Sequence, residues 1–245
     1  MNNKLVDSRN DVVDATSEDN GSLFIDDGKN TIASQLAERI RQSIINGELA
    51  AGSKINLGKA KTIFAVSLSP LREALARLIP GGLVTFEDNR GYRVAPVSLA
   101  NWQEITQLRA ELEPFALRQS IAVASSEWEG EVMRSMHRLY RAKRDAADSS
   151  SIERWEVLHK RFHQVLIGGG NMPLLLDFCD ILLNLGDRYR RSFLATVTDT
   201  DDRFEHNIIA QASVARDADY ACATLREHIT RNGTNIARHL AGIIG

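Results

Sequence analysis

The stretch from Ser67 to Leu78 constrains the fold more than any other, because a helix start is followed there by a helical apolar face. Ser69 is predicted to cap the helix through its hydroxyl, and Pro70 then stands at the first helical position, where a missing N–H costs nothing. Leucine and alanine recur at helical spacing, at positions 71, 74, 75 and 78. The pattern predicts a short amphipathic helix that buries one face.

A tight connection joins this helix to an upstream one, which is predicted over Leu57 to Phe64. Two helices joined only by residues 65–67 indicate a helix-turn-helix, whose second helix enters the major groove of DNA. Residues 83–86 and 92–94 follow on either side of a polar turn and predict a β-hairpin. Helix, turn, helix and hairpin in this order predict a winged helix.

Side chains near the start of the second helix are the best candidates for DNA contact. Arg72 can donate two hydrogen bonds to a guanine edge or to a phosphate, and an ion pair with Glu73 is the alternative. Lysines on the upstream helix can contact phosphates, and the turn of the hairpin can approach the minor groove or the backbone. The predicted DNA-contacting residues are Lys59, Lys61, Ser67, Ser69, Arg72, Arg90 and Gly91.

The charge distribution agrees with this interpretation. Residues 29–97, the predicted DNA-binding domain, carry ten Lys or Arg against five Asp or Glu, a net charge of +5. Residues 1–28 carry two basic and seven acidic side chains and are rich in Asp, Asn and Ser, which predicts a disordered acidic leader. The basic surplus thus lies where attraction to phosphates requires it.

Residues 98–245 are predicted to form an all-α antiparallel bundle, because the pattern there is helical throughout. The region follows an amphipathic helix predicted from Ile32 to Ile44 and the winged helix. No apolar run approaches the ~20 residues of a membrane span, and Cys179 and Cys222 suit a reducing cytosol, so a cytoplasmic protein is expected. The predicted helices are Leu99–Ser125 with a break or bend near Pro114, Glu127–Ser149, Ile152–Ile167, Met172–Thr196, Asp201–Arg216 and Asp217–Leu240.

Histidines in this region suggest a metal site. His159 and His163 are four residues apart and therefore project from one face of a helix. His206 and His228 lie on two later helices, and a bundle can bring all these faces together in its interior. The alternative is that the spacing arises by chance and the imidazoles only form hydrogen bonds.

The first domain resembles the DNA-binding domain of GntR-type bacterial transcriptional regulators. The resemblance rests on residues 67–75 (SLSPLREAL), on Gly82-Leu83-Val84 and on residues 90–94 (RGYRV), and it covers roughly Thr31 to Val97. In that family the position of Leu68 is often an arginine that reads a base. Because this position is apolar here, the operator of better-studied members is not expected.

The second domain resembles the FCD ligand-binding domain, which follows the winged helix in the FadR branch of these regulators. The resemblance rests on Phe162-His163, Gly170-Asn171 with Leu174, His206, Asp219 and His228, and on Arg109 to Glu113 (RAELE). Many FCD domains hold a divalent metal with one aspartate and three histidines. By position His163, His206 and His228 match the histidines, and His159 stands where the aspartate normally is.

This departure changes the expected chemistry. An all-nitrogen ligand set favours Zn²⁺, Ni²⁺ or a similar ion over Mg²⁺ or Ca²⁺. The carboxylate of a small organic acid effector is expected to complete the metal's coordination, and Arg109 is the candidate for pairing with that carboxylate. An intrahelical pair with Glu113 is the alternative for Arg109. Arg188 is a weaker effector-binding candidate.

Three functions are compatible with these features. The leading one is a homodimeric transcriptional regulator, by default a repressor, that binds a palindromic operator. A small organic acid effector is expected to control its affinity for that operator. The second is a metal-dependent hydrolase with an accessory DNA-binding module, although Lys160 stands where a zincin helix needs its glutamate base and only Glu156 lies one turn from His159. In the third, the metal only stabilises the bundle.

Overall fold

The computed structural model describes residues 31–145, 147–194 and 201–244. The acidic leader predicted for residues 1–28 lies outside the described residues. The first domain contains α1 (Ile32–Ile45), α2 (Leu57–Phe64), α3 (Leu68–Arg77), β1 (Val84–Glu87) and β2 (Gly91–Val94). The helical domain contains α4 (Leu99–Ala122), α5 (Ser126–Arg141), α6 (Ser149–Ile167), α7 (Pro173–Leu194), α8 (Asp201–Val214) and α9 (Ala218–Ile244).

The first domain is a winged helix built on one small apolar core. The buried face of α1 packs against Leu71, Ala74 and Leu75, which are fully buried on α3, as the leucine spacing predicts. Ala65 adopts the left-handed conformation with φ of 54° and turns the chain sharply between α2 and α3. The strands pair antiparallel, with Val84 opposite Val94. The predicted helix-turn-helix and hairpin are therefore confirmed.

The start of α3 differs from the prediction. Ser67, in extended conformation, is the N-cap residue, and its side chain makes no capping hydrogen bond. The helix begins at Leu68, so the prediction that Ser69 caps it is wrong. Pro70 is tolerated at the third helical position because the N–H groups of the whole first turn lack an intrahelical acceptor.

Helix boundaries in the second domain also differ from the prediction, most of all at the end of α5. α5 ends at Arg141, eight residues before the predicted end at Ser149. Asp148 instead caps α6, because its carboxylate accepts a hydrogen bond from the Ser150 N–H, and such local bonds compete with helix continuation. α4 runs through Pro114 as one helix rather than breaking there.

The helical domain buries its own core among α4 to α9, and α7 also contacts the first domain. Arg41 Nη1 of α1 donates a hydrogen bond to Asn184 Oδ1 of α7 at 3.0 Å. Leu185 of α7 packs on the apolar core of the winged helix. Tyr189 Oη accepts a hydrogen bond from the Ser98 N–H at the connection between the domains. In the parts of the chain that the structure describes, none of the helices is long and apolar enough to span a membrane.

Candidate metal centre and DNA-contacting surface

Four buried histidines from three helices converge in the interior of the second domain. His159 and His163 come from α6, His206 from α8 and His228 from α9, and one potential ligand atom from each lies within 4.8 Å of all the others. The ring centroids of His206 and His228 are 4.4 Å apart, and those of His159 and His206 are 5.0 Å apart. We call this group the four-histidine cluster. The structure thus brings together all the residues predicted as metal ligands.

A carboxylate orients the imidazole of His163. Its Nδ1 lies 2.7 Å from Glu113 Oε2, and Arg109 Nε donates to the other oxygen of Glu113 at 2.6 Å. Burial raises the pKa of Glu113, but Arg109 and His163 outweigh burial and lower it to about 2. The ionised carboxylate therefore accepts the Nδ1–H of His163. This fixes the tautomer in which Nε2 carries the lone pair, as in a metal-ligating histidine.

His228 repeats this arrangement on the other side of the cluster. Its Nδ1 lies 2.8 Å from Glu205 Oε2, and Arg231 in turn contacts Glu205. Two of the four imidazoles thus have a carboxylate behind them, and each carboxylate has an arginine behind it. Such carboxylate partners hold imidazole ligands in position around a metal.

The imidazoles of His159 and His163 are neutral near pH 7. Burial is the main cause that lowers the pKa of His163 to about 4, and burial also lowers the pKa of His159 well below its ordinary value. Trp155 stacks on His159 with ring centroids 4.7 Å apart. His159 Nδ1 and His163 Nε2 are buried without a hydrogen-bond partner within the described residues. Neutral, buried imidazole nitrogens are the donors that a divalent transition metal requires, so the residues fit such an ion.

A cavity of about 30 Å³ adjoins the cluster, which is room for one or two water molecules. Arg109 and Arg190 both line it, beside His159 and His228. Arg109 forms the intrahelical pair with Glu113 that was the alternative to an effector contact. Arg190 Nε donates to Glu156 Oε2 at 3.1 Å, but its Nη1 is buried with no partner in the described part of the chain.

Arg190 is a candidate that sequence reasoning missed, and Arg188 is not part of this group. Arg188 Nη2 donates to the Ala95 carbonyl at 2.8 Å, and the residue lines a separate cavity of about 530 Å³ between the two domains. Positions 188 and 190 point to nearly opposite sides of a helix because successive residues turn by ~100°. Helical spacing places Arg190 on the same side of α7 as Leu183 and Asp187, but the burial of that side is seen only in the structure.

The residues predicted to contact DNA lie at the surface of the winged helix. Arg72 has no ion-pair partner in the described chain, because Glu73 pairs with Arg77 at 2.7 Å instead. Gly91, the first residue of β2, has φ of 81°, a backbone conformation that glycine adopts readily and other residues rarely do. Arg90 pairs with Glu87 at 3.1 Å in an exposed position. The exposed members are Lys59, Lys61, Ser67, Ser69, Arg72 and Arg90.

A winged helix followed by a helical domain with a buried polar centre defines the class of the protein, a DNA-binding transcriptional regulator. Comparison with known families agrees: residues 32–94 match the bacterial regulatory proteins of the gntR family, and residues 104–231 match the FCD domain. The chain therefore belongs to the GntR family of regulators and carries an FCD domain.

Individual relatives support this assignment. The HTH-type transcriptional repressor GlaR of Escherichia coli K12 is 29% identical over 208 residues, which are 83% of this chain and 94% of GlaR. BphR of Paraburkholderia xenovorans LB400, an uncharacterized HTH-type transcriptional regulator, is 35% identical over 199 residues, 78% of this chain and 80% of BphR. The solved structure of E. coli McbR/YncC has the same fold, with a TM-score of 0.72 at 17% identity over 86% of this chain and 99% of that one.

Proposed function

We propose that the protein is a repressor whose affinity for its operator is controlled by a small organic acid bound at a divalent metal in the helical domain. The four-histidine cluster carries this proposal. Burying polar groups costs free energy unless they find partners, and His159 and His163 each keep a buried nitrogen without one. A metal ion within the cluster would be the common partner. The name of GlaR, a repressor, supports the direction of regulation.

Zn²⁺ or Ni²⁺ is the metal that the donor set favours. The four potential donors are imidazole nitrogens, which suit these ions, whereas Mg²⁺ and Ca²⁺ prefer oxygen. When bound, the metal would act as a Lewis acid toward a carboxylate oxygen of the effector. The protein's own contribution is a buried site with fixed tautomers, provided by Glu113 behind His163 and Glu205 behind His228.

Arg190 is the residue we propose to bind the effector's carboxylate. Its buried Nη1 has a free donor beside the cluster, and guanidinium groups suit carboxylates. Arg109, proposed from the sequence, lines the same cavity and contributes positive charge while it holds Glu113. The cavity of about 30 Å³ has room for only the carboxylate group of an effector. A larger part of the effector could enter only if the surrounding helices moved.

The path from this site to the DNA-binding domain is short. α6 carries both His159 and His163, and Lys160 between them donates to Asn184 Oδ1 at 2.6 Å. The same oxygen accepts a hydrogen bond from Arg41 of α1. A ligand that shifts α6 against α7 therefore changes how the winged helix is held, and differential binding to two arrangements changes operator affinity.

A homodimer on a palindromic operator is the assembly we propose. Two recognition helices, one from each copy, would enter successive major-groove segments. Leu108 and Phe115 of α4 are exposed apolar side chains seven residues apart, and a row of this kind on one helix suits a contact between two copies. Such a protein would act in the cytoplasm, where the DNA is.

Catalysis is not part of the proposal. The carboxylate nearest to His159 is that of Glu156, whose Oε2 lies 4.0 Å from His159 Nδ1. Burial raises the pKa of Glu156 to about 7, but its two oxygens are held by Arg190 and do not face a substrate-sized space. The matched families are of transcriptional regulators.

Metal analysis combined with gel shifts tests this proposal. Purified full-length protein should contain about one Zn²⁺ or Ni²⁺ per chain, and members of a panel of sugar acids and dicarboxylates should weaken its shift of the DNA upstream of its own operon. Arg190→Lys should retain the metal and lose the acid response, whereas the matched Arg188→Lys should keep both. A metal-containing protein that melts earlier after chelation, yet responds to no acid, would instead support a structural metal.

A further inference from the structure

Leu68 is an exposed apolar side chain at the first position of the recognition helix α3. It is 42% exposed, whereas the other leucines of α3, Leu71 and Leu75, are fully buried. Single exposed leucines are common on protein surfaces, so exposure alone decides nothing. The position is what matters, because the N-terminal residues of a recognition helix are those that reach base edges in the major groove.

The neighbours of Leu68 make it the apolar element of an otherwise polar reading surface. Ser67 and Ser69 flank it and are exposed, and Arg72 lies one turn further along with its guanidinium unpaired in the described chain. Serine can hydrogen-bond to either base of a pair and therefore discriminates poorly. Arg72 reads guanine or a phosphate. Since Leu71 is buried and Pro70 is half-buried, Leu68 is the exposed apolar side chain of the first turn of α3.

Base pairs offer one group that matches such a side chain in the major groove, the C5-methyl group of thymine. We infer that Leu68 reads thymine, so that each operator half-site carries a thymine whose methyl group packs against this leucine. The inference rests on the proposed DNA-contacting role of α3. It names a specificity determinant and a chemical feature of the operator that the family assignment does not supply.

Replacement of thymine by deoxyuridine tests this inference, because it removes the methyl group and leaves every hydrogen-bonding edge unchanged. The full-length protein is first used to select binding sites from a random DNA library. The enriched site is then synthesised with each thymine in turn replaced by deoxyuridine, in both half-sites, and dissociation constants are compared. At one symmetric position the wild-type protein should bind about fourfold more weakly per methyl removed, the loss expected for one buried methyl group.

Leu68→Ala should bind the thymine and deoxyuridine sites equally at that position. The matched control is Ile32→Ala, which truncates an exposed apolar side chain at the start of α1, and it should keep the fourfold difference. Thermal melting checks that both variants fold. A wild-type protein that tolerates deoxyuridine everywhere, or a Leu68→Ala variant that keeps the penalty, would overturn the inference. If no site is enriched at all, the DNA-contacting role of α3 fails first and the inference fails with it.

Discussion

Two arginine–glutamate pairs with the same helical spacing show how differently the two domains use their charges. Glu73 and Arg77 of α3 lie 2.7 Å apart with side chains 53% and 41% exposed, and Arg109 and Glu113 of α4 lie 2.6 Å apart with side chains 6% and 0% exposed. The first pair is solvated beside the DNA-contacting surface, and Arg72 has no ion-pair partner among the residues that the structure describes. The second is buried and supports His163. Both pairs follow from the i,i+4 spacing on a helix. How strongly each pair contributes to stability depends on its burial, which the spacing does not predict.

The largest expected effect comes from neutralising the carboxylate of the buried pair, and the same change in the exposed pair is its control. Glu113→Gln should lower the free energy of unfolding by about 3–5 kcal/mol, because Arg109 is left as a buried charge without its counter-ion. The same change should weaken metal binding roughly 10- to 100-fold, since His163 loses its carboxylate partner. Glu73→Gln, the matched control, should cost less than about 1 kcal/mol because its pair is exposed. Urea unfolding and metal titration measure both effects, and equal losses of stability would contradict the comparison.

The same difference between local and distant relationships explains how much the sequence could predict. The helix-turn-helix and wing follow from neighbouring residues, and even the misplaced cap at Ser69 moved the start of α3 by only two residues. The prediction missed the end of α5 because Asp148 caps a new helix, α6, with a carboxylate that accepts hydrogen bonds from the N–H and the hydroxyl of Ser150. The corrected start of α3 bears on the DNA-contacting surface, because it places Leu68 at the first helical position.

The candidate site depends on contacts between helices, and its prediction was correspondingly uneven. The spacing of His159 and His163 placed them on one face, a helical bundle could bring His206 and His228 to that face, and the resemblance to FCD domains supported the full set. Choosing between Arg188 and Arg190 requires knowing which side of α7 faces the cluster, and composition near the histidines carries no such information. The burial of Leu183 and Asp187, which marks the side of α7 that carries Arg190, is a result of the structure and not of the sequence pattern.

When the metal is removed, low pH should destabilise the helical domain more than the winged helix. The folded-state pKa of His163 is about 4, below its ordinary value of 6.5, so the folded protein binds fewer protons than the unfolded chain between these values. Stability is therefore fully present above about pH 6.5 and is lost as the pH falls toward 4. We expect a loss of about 2 kcal/mol between pH 7.5 and 5.

Urea unfolding of chelator-treated protein measures this loss, and His163→Gln should reduce it. The variant keeps a side chain that can hydrogen-bond to Glu113 but does not titrate in this range. An unchanged pH dependence in His163→Gln would exclude His163 as its source and would leave His159, whose pKa is also lowered by burial, as the next residue to replace.

On the DNA-contacting surface, Arg72 and Lys59 should differ in the DNA group that they contact, a base for Arg72 and a phosphate for Lys59. Arg72→Ala should cost about 1–3 kcal/mol of binding to the selected operator and relax the sequence preference at one position, if the guanidinium contacts guanine. Lys59→Ala should weaken binding to all sequences alike and reduce the salt dependence by about one counter-ion. Fluorescence anisotropy on specific and nonspecific duplexes at several salt concentrations distinguishes them. Uniform weakening by both variants would assign Arg72 to a phosphate.

The smallest expected effect lies where the two domains meet. Asn184 Oδ1 accepts hydrogen bonds from Arg41 of α1 and from Lys160 of α6, so one side chain joins the winged helix to the helix that carries His159 and His163. Asn184→Ala removes this connection without touching either proposed site. The metal content of the variant and its operator affinity without the effector acid should stay near wild type. The change in affinity that the effector acid causes should shrink by about 0.5–2 kcal/mol. Gel shifts with and without the active acid measure the change. Asn235→Ala, at a half-buried position of α9, is the matched control. A full response in Asn184→Ala would mean that the signal passes through other contacts of α7 with the first domain, such as the packing of Leu185 on the winged-helix core.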